Sequence, residues 1–155
     1  RDWKRSDAEI DENVVMGIKM NFKEHKKETS FENIWSKKKI LIAEDTEANY
    51  LYLVEALRKT EVKILRARNG KEAVELAKEN SDIDLVLMDI NMPEMDGFEA
   101  TELIKEYNRK LPVVAQTALN ISEVENKAKQ AGCDDIIYKP VKFKLFLKII
   151  GKFLD

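Results

Sequence analysis

The sequence predicts an α/β fold with a doubly wound parallel sheet of five strands, and three features of the chain indicate it. From residue 39 onward, short apolar runs alternate with segments whose apolar residues recur at helical spacing. Glycine, proline and asparagine residues mark the boundaries between these segments. Polar and charged side chains stand at the carboxyl ends of the apolar runs. Alternating strands and helices imply βαβ units, whose right-handed crossovers place helices on both faces of the sheet.

Five apolar runs are predicted to be strands. They are residues 39–43 (KILIA), 62–67 (VKILRA), 84–89 (DLVLMD), 112–116 (PVVAQ) and 135–138 (DIIY). The third run is apolar at four consecutive positions, 85–88, and this continuity suits a strand that is covered on both faces. The sequence therefore predicts a sheet buried between two layers of helices.

The segments after these strands are predicted to be helices, because their apolar residues fall on one side at a period of 3.6. For the first, third and fifth helices these residues are Tyr50, Leu53, Val54 and Leu57; Ala100, Leu103, Ile104 and Tyr107; and Phe143, Phe146, Leu147 and Ile150.

The helix boundaries have their own signals. Asn69-Gly70 precedes the second helix, Asp96-Gly97 precedes the third, and Gly132 follows the fourth. Pro140 prevents a simple continuation of the fifth strand.

Composition bounds the function. With 155 residues, the chain can form one ordinary domain and a modest extension. A net charge of -2 gives no general attraction to nucleic acid or acidic lipid, and no apolar run reaches the ~20 residues of a membrane helix. The single cysteine, Cys133, cannot form an internal disulfide, which fits the cytoplasm, and we expect it to be a packing residue.

Residues 1–37 differ from the rest of the chain. Residues 16–23 (MGIKMNFK) alternate apolar and polar side chains, which predicts a strand. That strand pairs either with the edge of the α/β domain or, the reading that we favour, with a preceding sheet domain. A charged stretch follows as a linker, in which Phe31, Ile34 and Trp35 are candidates for anchoring it to a neighbouring surface. We predict an N-terminal strand and linker over 1–37 and the α/β domain over 38–155.

Functional groups follow four of the predicted strands. Glu44 and Asp45, Asp89, Thr117 and Lys139 would meet, because the carboxyl ends of parallel strands share one edge of the sheet. Three crowded carboxylates repel each other unless a hard cation such as Mg²⁺ neutralises them, and Mn²⁺ is an alternative ion.

Each of these residues has a simpler interpretation on its own, such as a helix cap or a solvated turn. Together they suit phosphoryl chemistry. An aspartate beside a metal can accept a phosphoryl group as an aspartyl phosphate, and a hydroxyl and an ammonium can bind the added charge. The backbone carbonyl of Asn91 is a further candidate ligand for the metal.

The segments LIAED, LVLMDINMPEMDGFEA, QTA and GCDDIIYKP resemble the signature segments of the response-regulator receiver domain, and the resemblance covers residues 38–155. It implies a flavodoxin-like (βα)5 fold with strand order 2-1-3-4-5. It implies that Asp89 takes a phosphoryl group from a phosphohistidine of a histidine kinase or a histidine phosphotransfer domain.

The resemblance also assigns roles to the individual residues. It makes Glu44, Asp45, Asp89 and the Asn91 carbonyl the ligands of Mg²⁺. It makes Thr117 the switch hydroxyl and Lys139 the phosphate-binding cation. It further implies a cis peptide bond between Lys139 and Pro140, a geometry that is accessible to X-Pro bonds.

One position departs from the receiver pattern. Receivers usually carry Tyr or Phe three residues before the lysine, and here that residue is Ile136. Tyr138, next to Lys139, lies on the opposite face of the strand from Lys139 and cannot simply replace the missing aromatic residue. We expect phosphoacceptance to be unaffected, and a fourth helix carrying Leu119, Ile121 and Val124 to repack against Ile136. The expected output face is the fourth helix, fifth strand and fifth helix, with a homodimer through that face as an open alternative.

The parent protein is predicted to be a hybrid sensor histidine kinase, which is an enzyme, with this chain as its C-terminal receiver in the cytoplasm. A membrane anchor elsewhere in that parent is left open. No DNA-binding output domain is expected after Asp155. A stand-alone regulator is the main alternative. A haloacid-dehalogenase-like phosphatase is a weaker one, because that class carries a second Asp where Asn91 stands. A degenerate, non-phosphorylated receiver is disfavoured by the complete residue set. The only histidine, His25, matches no phosphodonor motif.

Overall fold

The structure, a computed structural model, describes residues 31–155. Residues 33–155 form one compact unit. The strand predicted at 16–23 and His25 lie outside the described residues, and the predicted domain division after residue 37 stays a prediction.

Five strands and five helices alternate along the described part of the chain. The strands are β1 (Lys39–Ala43), β2 (Lys63–Ala67), β3 (Leu85–Asp89), β4 (Val113–Thr117) and β5 (Asp135–Tyr138). The helices are α1 (Glu47–Leu57), α2 (Gly70–Glu79), α3 (Gly97–Tyr107), α4 (Ile121–Ala131) and α5 (Phe143–Leu154), and a 3-10 turn at Arg58–Thr60 follows α1. Each predicted strand is present, with boundaries that differ from the prediction by one residue at most.

All strand pairs are parallel, and the strand order is β2-β1-β3-β4-β5. The predicted doubly wound α/β fold is therefore confirmed. The direction of winding reverses between β1 and β3, and this reversal opens a crevice at the carboxyl ends of those two strands. Residues that follow β1 and β3 are thus placed at the position where α/β sheets bind ligands.

Burial explains why the central strands are continuously apolar. Every residue of β3 and of β4 is buried. Both strands lie inside the sheet and are covered by helices on both faces, so neither face can carry polar residues without cost. Edge strand β2 has only one fully buried residue, Ala67. The four-residue apolar run of β3 is therefore explained by the position of this strand in the centre of the sheet.

The helix boundaries use the residues that the sequence singled out. Asn69 caps α2 by accepting a hydrogen bond from the N–H of Glu72 at 2.7 Å. Asp96 caps α3 in the same way, by accepting a hydrogen bond from the N–H of Glu99 at 2.9 Å. Gly132 ends α4 in the left-handed region, at φ 97°. Such caps satisfy backbone groups that a helix end leaves without partners.

Two of the predicted core residues of the helices are exposed instead. Tyr107 is 55% exposed and Phe143 is 47% exposed. Each occupies a terminal turn, Tyr107 at the end of α3 and Phe143 at the start of α5. The helical period of the sequence does not show which terminal turns stay exposed. The hydroxyl of Tyr107 donates to the carbonyl of Lys78 at 3.3 Å.

The residues just before β1 pack into the compact unit through Trp35. Its side chain is 2% exposed, and its indole N–H donates to a carboxylate oxygen of Asp155 at 2.8 Å. Its backbone N–H donates to the carbonyl of Thr60 at 3.1 Å. One of the three candidate anchors is therefore buried, whereas Ile34 is 44% exposed.

No helix between residues 31 and 155 is long and apolar enough to cross a bilayer.

Candidate functional site

Three carboxylates meet at the carboxyl ends of β1 and β3. Glu44 and Asp45 follow β1, and Asp89 is the last residue of β3. Each offers an oxygen, and these oxygens lie within 4.8 Å of one another. Glu44 and Asp89 are buried, at 0% and 4% exposure, whereas Asp45 is exposed. The parallel sheet has thus brought together acids that are 44 residues apart in sequence.

Lys139 supplies a cation to this cluster. Its Nζ atom lies 3.4 Å from Oε1 of Glu44 and 3.4 Å from Oδ2 of Asp89. Its backbone N–H donates to the carbonyl of Thr117 at 2.8 Å, which joins the end of β5 to the end of β4. The lysine side chain is 22% exposed. One ammonium is therefore shared between two buried carboxylates, and it balances only part of their charge.

The electrostatics of the cluster appear in the pKa of Asp89. Burial, followed by repulsion from Glu44, raises the pKa of Asp89 from an ordinary value of 3.8 to about 6, and Lys139 opposes the rise. A raised carboxyl pKa means that the negative charge is poorly compensated. The cluster is therefore a site that a further positive charge would stabilise.

A divalent cation fits this donor set. Mg²⁺ prefers oxygen ligands, and oxygens on opposite sides of the ion are about 4.2 Å apart. Carboxylate oxygens that already lie within 4.8 Å of one another need little movement to share one ion. The exposed position of Asp45 leaves the cluster open to solvent on one side, which suits an ion that keeps several waters.

Arg66 and Thr46 fix the position of Glu44. The guanidinium of Arg66 donates to the carbonyl oxygen of Glu44 at 3.3 and 3.1 Å and to Oε1 of Glu47 at 2.6 Å. It also lies 4.2 Å from the centre of the Tyr50 ring. The N–H of Thr46 donates to Oε2 of Glu44 at 3.2 Å. Sequence reasoning missed Arg66, for which the only signal was an arginine inside an otherwise apolar strand.

The turn from β3 into α3 packs tightly against the acidic cluster. A Cβ atom on Gly97 would lie 2.4 Å from the carbonyl oxygen of Asp89 and 2.9 Å from Cα of Ile90. The N–H of Gly97 donates to the carbonyl of Ile90 at 3.0 Å. Only a glycine allows the first turn of α3 to approach the backbone of Asp89 so closely.

Asn91 and Thr117 lie beside the acidic cluster. Asn91 is exposed, and its backbone N–H donates to Oδ1 of Asp89 at 3.2 Å. Thr117 is 3% exposed, and its hydroxyl oxygen accepts a hydrogen bond from the N–H of Leu119 at 2.9 Å. The hydroxyl is therefore engaged with the loop between β4 and α4.

Ile136 lies on β5, away from these acids. It lines a groove of about 290 Å³ between β5 and α5, together with Tyr138, Leu145 and Phe146. The peptide bond between Lys139 and Pro140 is cis.

Cys133 has the surroundings of a packing residue. Its sulfur lies 4.0 Å from Oγ1 of Thr101. Burial raises the pKa of the Cys133 thiol, which lowers the fraction of nucleophilic thiolate at neutral pH.

Sequence reasoning also missed Gln116, the register partner of Asp89 on β4. Gln116 is 0% exposed, and among the residues from 31 to 155 neither atom of its side-chain amide has a hydrogen-bond partner. An amide inside an apolar strand was the signal that could have found it.

The fold and the acidic cluster define a class: a flavodoxin-like α/β domain with buried acids and a lysine at its topological switch point. Comparison with known proteins gives the family. Residues 40–151 match the response regulator receiver domain, and the chain belongs to this family. It is a receiver domain of two-component signalling.

Relatives agree with this membership. The chain is 36% identical over 119 residues to the polar-differentiation response regulator DivK of Brucella anthropi, across 76% of this chain and 96% of DivK. Among solved structures, it is similar to the receiver domain of the Saccharomyces cerevisiae regulator Ssk1, which was crystallised with the histidine phosphotransfer protein Ypd1. That similarity has a TM-score of 0.71 and 31% identity, over 76% of this chain and 88% of the other.

A second solved structure bears on the acidic cluster. The receiver domain of a Pseudomonas aeruginosa sensor histidine kinase, with a magnesium ion coordinated in its active-site cleft, is similar with a TM-score of 0.70 and 28% identity. The similarity covers 76% of this chain and 97% of that one.

Proposed function

We propose that this chain is the phosphoacceptor receiver of a phosphorelay and that Asp89 takes a phosphoryl group from a phosphohistidine. The observation that carries the proposal is the convergence of three carboxylates within 4.8 Å, with Nζ of Lys139 at 3.4 Å from Oδ2 of Asp89. The relative crystallised with a histidine phosphotransfer protein supports that class of donor, and a histidine kinase is the other donor of the same chemistry.

The transfer step conserves charge and atoms. A carboxylate oxygen of Asp89 attacks phosphorus, and the new O–P bond forms as the P–N bond to the donor imidazole breaks. The electron pair of that bond stays on the ring nitrogen, so a ring protonated on its other nitrogen leaves as neutral imidazole. Asp89 must be ionised to attack, and above its pKa of about 6 the carboxylate is the major form.

Glu44, Asp45, Asp89 and the carbonyl of Asn91 are the proposed ligands of Mg²⁺, with Mn²⁺ as an alternative. When bound, the ion supplies positive charge that offsets the acids and the phosphoryl oxygens. Lys139 is the proposed partner of a phosphoryl oxygen on Asp89, through a charge-assisted hydrogen bond, and the 3.4 Å between its Nζ atom and Oδ2 of Asp89 supports this role. Arg66 keeps the backbone of Glu44 in position.

Thr117 is the proposed switch residue. Its hydroxyl is held by the N–H of Leu119, so turning it toward a phosphoryl group on Asp89 requires that the loop before α4 rearrange. A shift of a two-state equilibrium from 1:99 to 99:1 needs about 5.5 kcal/mol, which a few charge-assisted contacts can supply. Leu119, predicted on the fourth helix, lies instead in the loop before α4 and is 38% exposed, and Ile121, the first residue of α4, is 55% exposed. The rearrangement therefore alters an apolar surface.

That surface is the proposed output face, formed by α4, β5 and α5. Phe143 and Leu145 of α5 are also exposed, at 47% and 51%. With Ile136 in place of an aromatic residue, we propose that α4 transmits the change by repacking against β5. Self-association through this face remains an alternative to a separate partner.

The test is labelling with acetyl phosphate in the presence of Mg²⁺, followed by intact mass spectrometry. The wild-type chain should gain one phosphoryl group, and Asp89→Asn should gain none. Asp82→Asn is the matched control, since Asp82 precedes β3 at the opposite end of the strand and pairs with Lys39 at 2.6 Å. Equal labelling of Asp89→Asn and the wild type would reject the assignment. Steady hydrolysis of a generic phosphate ester would favour the phosphatase alternative instead.

Two parent proteins are consistent with the receiver. We propose a hybrid sensor histidine kinase, which would place the receiver in the cytoplasm, and the similar domain of the Pseudomonas aeruginosa kinase supports that context. A stand-alone regulator is the alternative, and the match to 96% of the length of DivK favours it. The reading frame upstream of Arg1 decides between them. An in-frame ATP-binding kinase core would indicate the hybrid, and a start codon close to Arg1 would indicate the stand-alone regulator.

A further inference from the structure

Gln116 is a buried amide that nothing in the fold explains. Its side chain is fully enclosed, and neither Oε1 nor Nε2 has a hydrogen-bond partner within the described part of the chain. Nearly all buried polar groups in proteins have a partner, because an unpaired one loses its hydration without compensation. The three residues that precede it in β4, Val113, Val114 and Ala115, are apolar. An apolar residue would therefore satisfy this position better in the present state of the protein.

The register of the sheet places Gln116 between Asp89 and Lys139. Gln116 is the partner of Asp89 on β3 and of Ile137 on β5. Side chains alternate along a strand, so Lys139, two residues after Ile137, lies on the same face of the sheet as Gln116. Gln116, Glu44 and Lys139 line one cavity of about 370 Å³.

The ammonium of Lys139 is held loosely in this state. Its two contacts, to Glu44 and to Asp89, are both 3.4 Å long, which is beyond the usual range of a charged hydrogen bond. An ammonium has three N–H donors. Lys139 therefore has donor capacity that these two long contacts do not satisfy, and it lines the same cavity as Gln116, whose amide oxygen accepts no hydrogen bond within the described residues.

We propose that Gln116 is a positioning residue for Lys139. When a phosphoryl group on Asp89 draws the ammonium away from Glu44, Oε1 of Gln116 accepts a hydrogen bond from it and holds Lys139 toward the phosphoryl oxygens. This inference rests on the proposed function, because it requires a phosphorylated state. The unpartnered amide then destabilises the resting state, and it gains its hydrogen-bond partner, the ammonium of Lys139, only in the phosphorylated state.

Beryllofluoride, which mimics the phosphoryl group in the presence of Mg²⁺, tests the inference in the chain of 155 residues. Gln116→Met replaces the amide with an unbranched apolar chain. Without Mg²⁺ and fluoride, this variant should melt at a higher temperature than the wild type, since it removes the unpartnered amide. Its affinity for beryllofluoride should fall about tenfold, the loss expected for one hydrogen bond to a charged group. Its affinity for Mg²⁺ alone should stay within twofold of the wild type.

Two comparisons separate positioning from a merely structural role. In a Lys139→Met background, adding Gln116→Met should change beryllofluoride affinity less than twofold, because the proposed contact is already gone. Val114→Ala perturbs the same face of β4 two residues earlier, and it should lower stability but leave that affinity unchanged. If Gln116→Met does not fold, Gln116→Leu takes its place.

The outcomes distinguish this inference from the proposed function. A wild-type chain that fails to bind beryllofluoride in a Mg²⁺-dependent way would reject the proposed function itself. Binding by the wild type, with Gln116→Met within twofold of it, would reject only the role of Gln116. An equal loss with and without Lys139 would also reject that role, since the effect would not pass through the ammonium.

Discussion

Asp89→Asn should stabilise the metal-free protein at pH 8. Asparagine is close in shape to aspartate and carries no charge, so the substitution removes a buried carboxylate that burial and Glu44 destabilise. The pKa of Asp89 rises from an ordinary 3.8 to about 6, and the difference of about 2.2 is worth about 3 kcal/mol at about 1.36 kcal/mol per unit. For a domain of this size, that corresponds to a rise in Tm on the order of 10 °C.

The pH dependence fixes the sign of the effect. A carboxyl with a raised pKa binds its proton more tightly in the folded state, so the wild type loses stability as pH rises from about 4 to about 6. Above that range the loss is complete. The advantage of Asp89→Asn should therefore be about 3 kcal/mol at pH 8, about half of that at pH 5 and below about 1 kcal/mol at pH 4.

Urea unfolding with EDTA, at these three pH values, measures the advantage directly. Asp45→Asn is the matched control: its carboxylate belongs to the same cluster but is exposed, so its removal should change stability by no more than about 0.5 kcal/mol. If Asp89→Asn were no more stable than the wild type at pH 8, or if its advantage did not shrink on acidification, the electrostatic description of the cluster would be wrong.

Three further predictions follow from local contacts. Gly97→Ala should destabilise the fold by about 1–3 kcal/mol and slow acetyl phosphate labelling, because its Cβ would lie 2.4 Å from the Asp89 carbonyl; unchanged stability in urea would contradict the close approach. Trp35→Phe keeps most of the buried ring but loses the hydrogen bond to Asp155, so urea unfolding should show a cost of about 1 kcal/mol beyond that of the smaller ring; Asp155→Asn, which keeps an acceptor, should cost less. Saturating Mg²⁺ should raise the Tm of the wild type in thermal scans, EDTA should reverse the rise, and Asp89→Asn should show a much smaller rise; an equal response of that variant would place the ion elsewhere.

The order of strands and helices could be predicted from the sequence, because burial imposes its period on the chain. The apolar run of β3 is continuous because both faces of this strand are buried. Asn69 and Asp96 mark the starts of two helices because their side chains cap them. The candidate site could be predicted for a related reason. Parallel strands bring their carboxyl ends to one edge whatever the details of packing, so Glu44, Asp89 and Lys139 had to meet.

Other features depend on contacts between residues that are far apart in sequence. The hydrophobic periodicity of the sequence does not predict such contacts. Arg66 can donate to the carbonyl of Glu44 because β1 and β2 pair in one particular register. The indole of Trp35 donates to Asp155, which is 120 residues away in sequence. Tyr107 and Phe143 follow the helical period but are exposed, and each is the terminal residue of its helix.

The chemical state of the site was also decided by the tertiary structure. The sequence alone placed three acids, a hydroxyl and a lysine at one edge of the sheet. Only the fold determined that Asp89 is buried beside Glu44, and that enclosure raises its pKa to about 6. Only the strand register set the unpartnered amide of Gln116 next to Asp89. Periodicity is a local property of the chain, whereas desolvation and register arise from segments that are distant in sequence.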